Sequence, residues 1–375
     1  MPKSINKTIK FLLIASKSNL SREDIFYLSN YLYNRELDDN QIITLTQTHK
    51  ITKVVYTNLK KHFPNDSLVT KLQKIFMINS QKSMLLSAEL LHITKLLEKQ
   101  NIDIISFKGA SLSQLLYGDI ISRQYSDLDI LIELQDRDNI YEILSQNGYE
   151  KTLNITLSQE EKWYKNSKDM LLFHKKRGIH IELHWLLVDR DFPMDIELDS
   201  IKKECQNITI NRQNIKIFGN EDLLIYLTIH GSTHLWHSIG WIKDIDMMIR
   251  GQNIDWDKIE IRLNITQRGA FLLGLYLSNS LLDTPIPHNY KEESRQKWLI
   301  ALTDFIIKSW QEPISEFKIR VAIVYILPNI KTRVKYLYKV IINPTRSEYD
   351  FIDLPKGFYW LYYIIRPFLL FRKYF

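Results

Sequence analysis

The stretch IISFKGASLSQLLYGDIISRQYSDLDILI, from Ile104 to Ile132, constrains this chain more than any other. Ile104, Ile105 and Phe107 make a short apolar run of strand type that stops at Lys108-Gly109, after which Ala110, Leu112, Leu115 and Leu116 recur at helical spacing. The order is therefore strand, tight turn, helix. A glycine at such a turn lets backbone approach a ligand, and the first helical turn offers unpaired N–H groups and a positive dipole end to an anion. Lys108 adds a full positive charge beside the N–H groups from Gly109 to Ser111. After Tyr117-Gly118-Asp119 the chain passes Arg123 and enters Ser126-Asp127-Leu128-Asp129-Ile130-Leu131-Ile132. Strand alternation puts Asp127 and Asp129 on one face and Leu128, Ile130 and Ile132 on the other. Two carboxylates on a rigid, apolar-backed strand suit a hard divalent cation.

Asp-x-Asp alone is a weak signal, because Asp136/Asp138, Asp189/Asp191, Asp244/Asp246 and Asp255/Asp257 repeat it. Context separates Asp127/Asp129 from these. Asp244 and Asp246 lie in a helical pattern, where residues two apart diverge by about 200° and do not share an ion. A third carboxylate is expected on a neighbouring strand. Asp169–His174 and Gly178–Trp185 read as a hairpin whose second strand carries His180, Glu182 and His184 on one face, and Glu182 is the candidate third ligand.

Lys108-Gly109, Tyr117-Gly118-Asp119, Arg123, Asp127-Leu128-Asp129 and Glu182-Leu183-His184-Trp185, in this order, resemble the uncharacterised bacterial branch of the DNA polymerase β-like nucleotidyltransferase superfamily. The usual pattern there is Gly-Ser or Gly-Gly at a helix start, then Asp-x-Asp/Glu, then a later carboxylate. This chain departs from it with Lys-Gly and a longer gap to the aspartates, departures typical of that branch. The looser part of the likeness runs through Leu224, Tyr226, His230, His234, Trp236, Trp241 and Asp244 to the Tyr362-Tyr363-Arg366-Pro367 tail. The resemblance implies an α+β fold, a small mixed sheet flanked by N-terminal and C-terminal helical regions. It implies a nucleoside triphosphate substrate and Mg²⁺ (or Mn²⁺) held by Asp127, Asp129 and Glu182, which are then both catalytic and metal-binding. Lys108, Gly109, Ser111 and Arg123 become the nucleotide-binding set. Pyrophosphate leaves, and the acceptor is an unidentified small-molecule, peptide or protein hydroxyl, with no nucleic acid required.

Composition narrows the field further. At 375 residues, 45% hydrophobic and 25% charged, the chain has material for two or three cores and is not disordered. Its single cysteine, Cys205, excludes an internal disulfide and a cysteine zinc cluster, and fits a reducing cytoplasm. The +7 balance fits a polyanionic substrate but is too mild to demand nucleic acid.

Residues 1–100 read as helices, with Ser21-Arg22-Glu23-Asp24 and Asp66-Ser67 as start signals. Residues 101–219 form the α/β core, including a hairpin over Ile208–Phe218 and a polar segment, Lys151–Asn166, that reads as a loop or a short helix whose Trp163 and Tyr164 could stack on a base. Residues 220–375 return to helix. There His230 and His234, four apart, with His237 a turn further, offer a rival reading as a zinc-dependent hydrolase, although Gly231 stands where a zinc protease has Glu. A catalytically silent nucleotide-binding protein is the other alternative. The aromatic, basic tail from Lys356 to Phe375, broken by Arg366-Pro367, is too short to span a bilayer and is expected to dock on the helical domain rather than on a membrane surface.

Overall fold

The computed structural model describes residues 5–34, 36–153, 156–194, 196–312 and 314–374. Among these residues seven strands form two sheets: β1 (Ile105–Ser106), β2 (Leu128–Leu131), β3 (Tyr149–Lys151), β4 (Asp169–His174), β5 (Ile179–His184), β6 (Gln206–Ile210) and β7 (Gln213–Ile217). The first five join in the order β1-β2-β5-β4-β3, and the last two make a separate hairpin. The pair β2/β5 is parallel and its neighbours are antiparallel, so the sheet is mixed. Its register sets Asp129 opposite Glu182 and Leu131 opposite His184.

Strand β2 is buried on both faces, and Leu128 and Ile130 lie in one core while Leu131 lies in another. The long helix Ser67–Glu98, capped by Asp66, bridges these two cores. Leu68 and Leu72 enter the larger core, and Leu86, Leu90, Ile93 and Leu97 cover the sheet. Each such leucine contributes about 1.5–3 kcal/mol of burial. Glu89 on the same helix accepts from the Tyr149 hydroxyl at 2.8 Å and pairs with Arg177, fixing helix against sheet. The larger core gathers Phe11 and Leu12, Phe107, Phe218, Tyr226, Trp236 and Tyr336, so residues before 101 and after 219 share one apolar interior.

Several local expectations are refined. The segment after β3 is a helix, Leu157–Asn166, opened by a Thr156/Gln159 capping box, while residues 154 and 155 lie outside the described set. Tyr164 is buried edge-on against Trp185 and is not free to stack on a base. Helix Asn220–Thr233 stops at His234, because Leu235 and Trp236 turn into the left-handed region. The indole of Trp236 then folds under Gly231, where a Cβ would sit 2.6 Å from it. His237 therefore belongs to the following connection and not to a further helical turn.

The tail forms one helix, Leu361–Tyr374, that runs through Pro367. It packs on helices Ile330–Ile342 and Arg346–Phe351. Its Tyr362 also reaches the α/β part, because Gln159 donates to the Tyr362 hydroxyl at 3.1 Å. Phe375 lies outside the described residues. Among those residues no helix is long and apolar enough to cross a membrane.

Candidate active site

Gly109 opens the helix Gly109–Tyr117 at φ +58°, a left-handed conformation that costs other residues about 1–2 kcal/mol. A Cβ there would meet the Asp127 carbonyl at 3.6 Å, so the turn lies directly against the start of β2. That contact brings Lys108 over the strand. Its Nζ sits 2.5 Å from Asp129 Oδ1. From β5, His184 Nε2 lies 3.2 Å from the same Asp129 oxygen and 3.2 Å from Glu182 Oε2. Among the described residues, Asp129, Glu182 and His184 are the group whose ligating atoms all lie within 4.8 Å of one another.

The electrostatics follow from this packing. Burial alone would raise the Asp129 carboxyl, but the Lys108 ammonium and the His184 ring reverse that and hold it below the usual carboxylate range. Burial likewise opposes charge on Lys108, and Asp129 with Tyr226 overcomes it and raises the amine. His184 is raised against its burial by hydrogen bonds to Asp129 and Glu182. Asp127 goes the other way: burial and then the charges of Asp129 and Glu182 push it up, with Lys108 and Lys50 pulling back less strongly. An added cation would favour its ionised form.

The donor set fits a divalent ion. Two carboxylates and one imidazole suit Mn²⁺ at least as well as Mg²⁺, because nitrogen is a softer ligand than Mg²⁺ prefers. Among the described residues the buried His184 Nδ1 has no hydrogen-bond partner, and Asp169 Oδ2 stands 3.8 Å away.

Of the residues singled out from sequence, Asp129, Glu182, Lys108 and Gly109 meet here. Asp127 stands at the mouth of β2, half-buried and within electrostatic reach of both carboxylates, but outside the three-atom group. The Ser111 hydroxyl is buried and donates to Ser106 Oγ at 2.7 Å, so only its backbone faces the turn's chemistry. Arg123 is committed to Asp244, its Nε lying 2.9 and 3.1 Å from the two carboxylate oxygens, although Asp129 still acts on it at longer range. Sequence reasoning left His184 and Lys50 without a role. Alternation along β5 already placed His184 beside Glu182, whereas nothing local marks Lys50.

His230 and His234 pack ring against ring, centroids 4.9 Å apart, and both also face Trp241. Burial drives His230 well down and takes His234 to about 4, which favours the neutral ring in both. Neither belongs to a group of three ligands among the described residues. They line instead a cavity of about 560 Å³ that also touches Trp163, Asp169, Asp189 and Tyr349. Asp169 joins that cavity to the cluster, because its carboxylate sits beside His184.

Comparison with solved structures returns nucleotidyltransferases. ANT(2")-Ia in complex with adenylyl-2"-tobramycin aligns at 14% identity over 49% of this chain and 95% of its own, with a TM-score of 0.33. An antigenic nucleotidyltransferase-like protein from Paracoccidioides brasiliensis aligns at 20% identity over 56% of this chain and 95% of its own, with a TM-score of 0.34. No curated protein matches the sequence. The profile described as uncharacterised nucleotidyltransferase matches residues 35–283, which is more than half of the chain and contains the turn, both aspartates and Glu182. The protein belongs to that family and is an enzyme of the nucleotidyltransferase type.

Proposed function

We propose that the protein moves a nucleoside monophosphate from a nucleoside triphosphate to a hydroxyl of a small molecule. The observation that carries this reading is the register of β2 against β5, which faces Asp129 with Glu182 beside the Lys108-Gly109 helix start. Asp129, Glu182 and His184 would hold a divalent cation, with Asp127 as a further oxygen donor. When bound, such an ion supplies Lewis-acid polarisation of the phosphoryl oxygens. Lys108 and the first N–H groups of helix Gly109–Tyr117 neutralise charge on the phosphates, and Arg123 adds positive potential from its anchored position. The acceptor oxygen forms its bond to the α-phosphorus as the bond to the β-phosphate breaks. The acceptor's proton passes to a carboxylate of the cluster, and pyrophosphate departs.

The cavity beside Asp169 supports a small acceptor. At about 560 Å³ it lies within the usual range for small-molecule sites, roughly 300–1,000 Å³. The test is incubation with each nucleoside triphosphate, Mg²⁺ or Mn²⁺ and a source-cell extract, read by pyrophosphate release and by mass spectrometry for nucleotide-mass adducts. Release without a small-molecule adduct would exclude this acceptor class, and nucleotide binding without release would exclude transfer altogether.

Cation binding has a separate readout. Mn²⁺ at a hundredfold excess over its Kd should stabilise the fold by about 2.7 kcal/mol, seen as a rise in Tm of a few degrees. Glu182→Gln should lose most of that rise. An equal rise in the variant would place the ion elsewhere.

A further inference from the structure

We propose that the outer face of helices Ile330–Ile342 and Leu361–Tyr374 docks on an anionic lipid surface. The two helices pack against each other and bury their inner sides, with Tyr336 and Val340 on one and Tyr362 and Arg366 on the other. What they leave outside is apolar at helical spacing. Ile330, Val334, Tyr338 and Ile341 are exposed on the first, and Ile364, Phe368 and Phe371 are 60%, 64% and 65% exposed on the second. Trp360 and Phe358, just before the second helix, are also more than half exposed. Scattered surface leucines need no explanation, but two adjacent helices repeating the pattern do.

Charge selects the occupant. Residues 330–373 contain nine Lys or Arg and three Asp or Glu, so this segment holds nearly all of the +7 of the whole chain. Lys331, Lys335 and Arg372 are exposed and make no ion pair among the described residues. A second copy of the chain would bring the same cations to the same face, and protein interfaces deplete lysine at their centre. Aromatic and aliphatic residues on one helical face, fringed by Lys and Arg, instead match a helix lying in the headgroup region of an anionic leaflet. The second helix has 14 residues, enough to lie flat on a bilayer and too few to cross it. Tyr349 and Tyr363 of the same C-terminal segment line the cavity beside the active site, so the docked surface and the cavity share one piece of structure.

The test is sedimentation of the full chain with vesicles of phosphatidylcholine alone and of phosphatidylcholine with phosphatidylglycerol. Binding should be at least ~10-fold tighter to the anionic vesicles and should fall steeply with added salt. Replacing Ile364, Phe368 and Phe371 together by Ser should cut it ~10-fold or more, while Ile261→Ser, at a residue 85% exposed elsewhere, should not. Lys331→Glu with Lys335→Glu tests the electrostatic half in a chain whose apolar face is intact, and should also release the protein. No sedimentation at low salt overturns the proposal. So does sedimentation that survives both sets of substitutions, or a concentration-dependent dimer that the triple serine variant abolishes without any vesicle binding.

Discussion

Asp129→Asn should lower pyrophosphate release at least ~10³-fold, equivalent to about 4 kcal/mol in the barrier, and should also destabilise the protein. The second effect separates it from Asp127→Asn. Asp129 is the partner that keeps the buried Lys108 ammonium and the His184 ring satisfied, at 2.5 and 3.2 Å. Breaking a buried pair by removing one member costs roughly 3–5 kcal/mol, because the other charge is left without compensation. Asp127 is held among like charges, so its neutral replacement relieves repulsion. Asp127→Asn should therefore lose activity yet unfold at or above the parental Tm. Equal losses of Tm in the two variants would refute this division of roles.

The pH dependence has matching signs. The folded value of Asp129 lies below its unfolded one, so the stability it contributes is present above the ordinary carboxyl range and is lost as pH falls through that range toward the lower folded value. The folded value of Asp127 is raised, so its ionised form opposes folding at neutral pH, and that penalty fades as pH falls through the raised value. Mild acid should thus narrow the Tm gap between Asp127→Asn and the parent. A gap that widens on acidification would contradict the assignment.

Asp246→Ala should cost roughly 3–5 kcal/mol of stability, read from the urea midpoint, while the rate per folded molecule stays unchanged. Asp246 is fully buried and accepts from Ser18 at 2.6 Å, Lys243 at 2.8 Å, and Arg250 and Thr284 at 2.7 Å. It ties the N-terminal helices to the C-terminal ones. Lys243, itself almost wholly buried, would be left with a hydroxyl for company. Asp199→Asn, at an exposed carboxylate with a 3.9 Å pair, should shift the midpoint by no more than about 0.5 kcal/mol equivalent. A catalytic defect per folded molecule in Asp246→Ala would show that the helical Asp-x-Asp is more than structural.

That contrast between two Asp-x-Asp pairs was readable in the sequence, because it rests on local periodicity. Alternation before Ile132 announces a strand, and the apolar spacing around Ile242 and Ile245 announces a helix. The hairpin of β4 and β5, the strand-turn-helix at Gly109 and the Asp66 cap were legible for the same reason. The C-terminal helix was less so. Pro367 suggested an interruption, yet the helix continues through it, with Arg366 anchored by Glu348 at 3.2 Å on its inner side.

Arg123 shows where local reading stops. A basic residue just upstream of the aspartates suggests a phosphate ligand, but Asp244, 121 positions away, holds its guanidinium. Lys50 reaches the field of Asp127 from the turn between helices Asp39–Thr48 and Thr52–His62, and no spacing rule connects the two. His184 is an intermediate case, because alternation assigns it to the face of Glu182 and only pairing of β5 with β2 brings it to Asp129.

By itself the sequence determined the elements around the site, the faces on which the acidic residues lie and the glycine turn against which they act, since each depends on neighbours a few positions away. The tertiary structure decided which of those residues are joined and which cation serves which carboxylate. Those choices belong to long-range packing: a charge buried by distant segments takes whatever partner the fold brings within about 3 Å, because leaving it without one costs several kcal/mol.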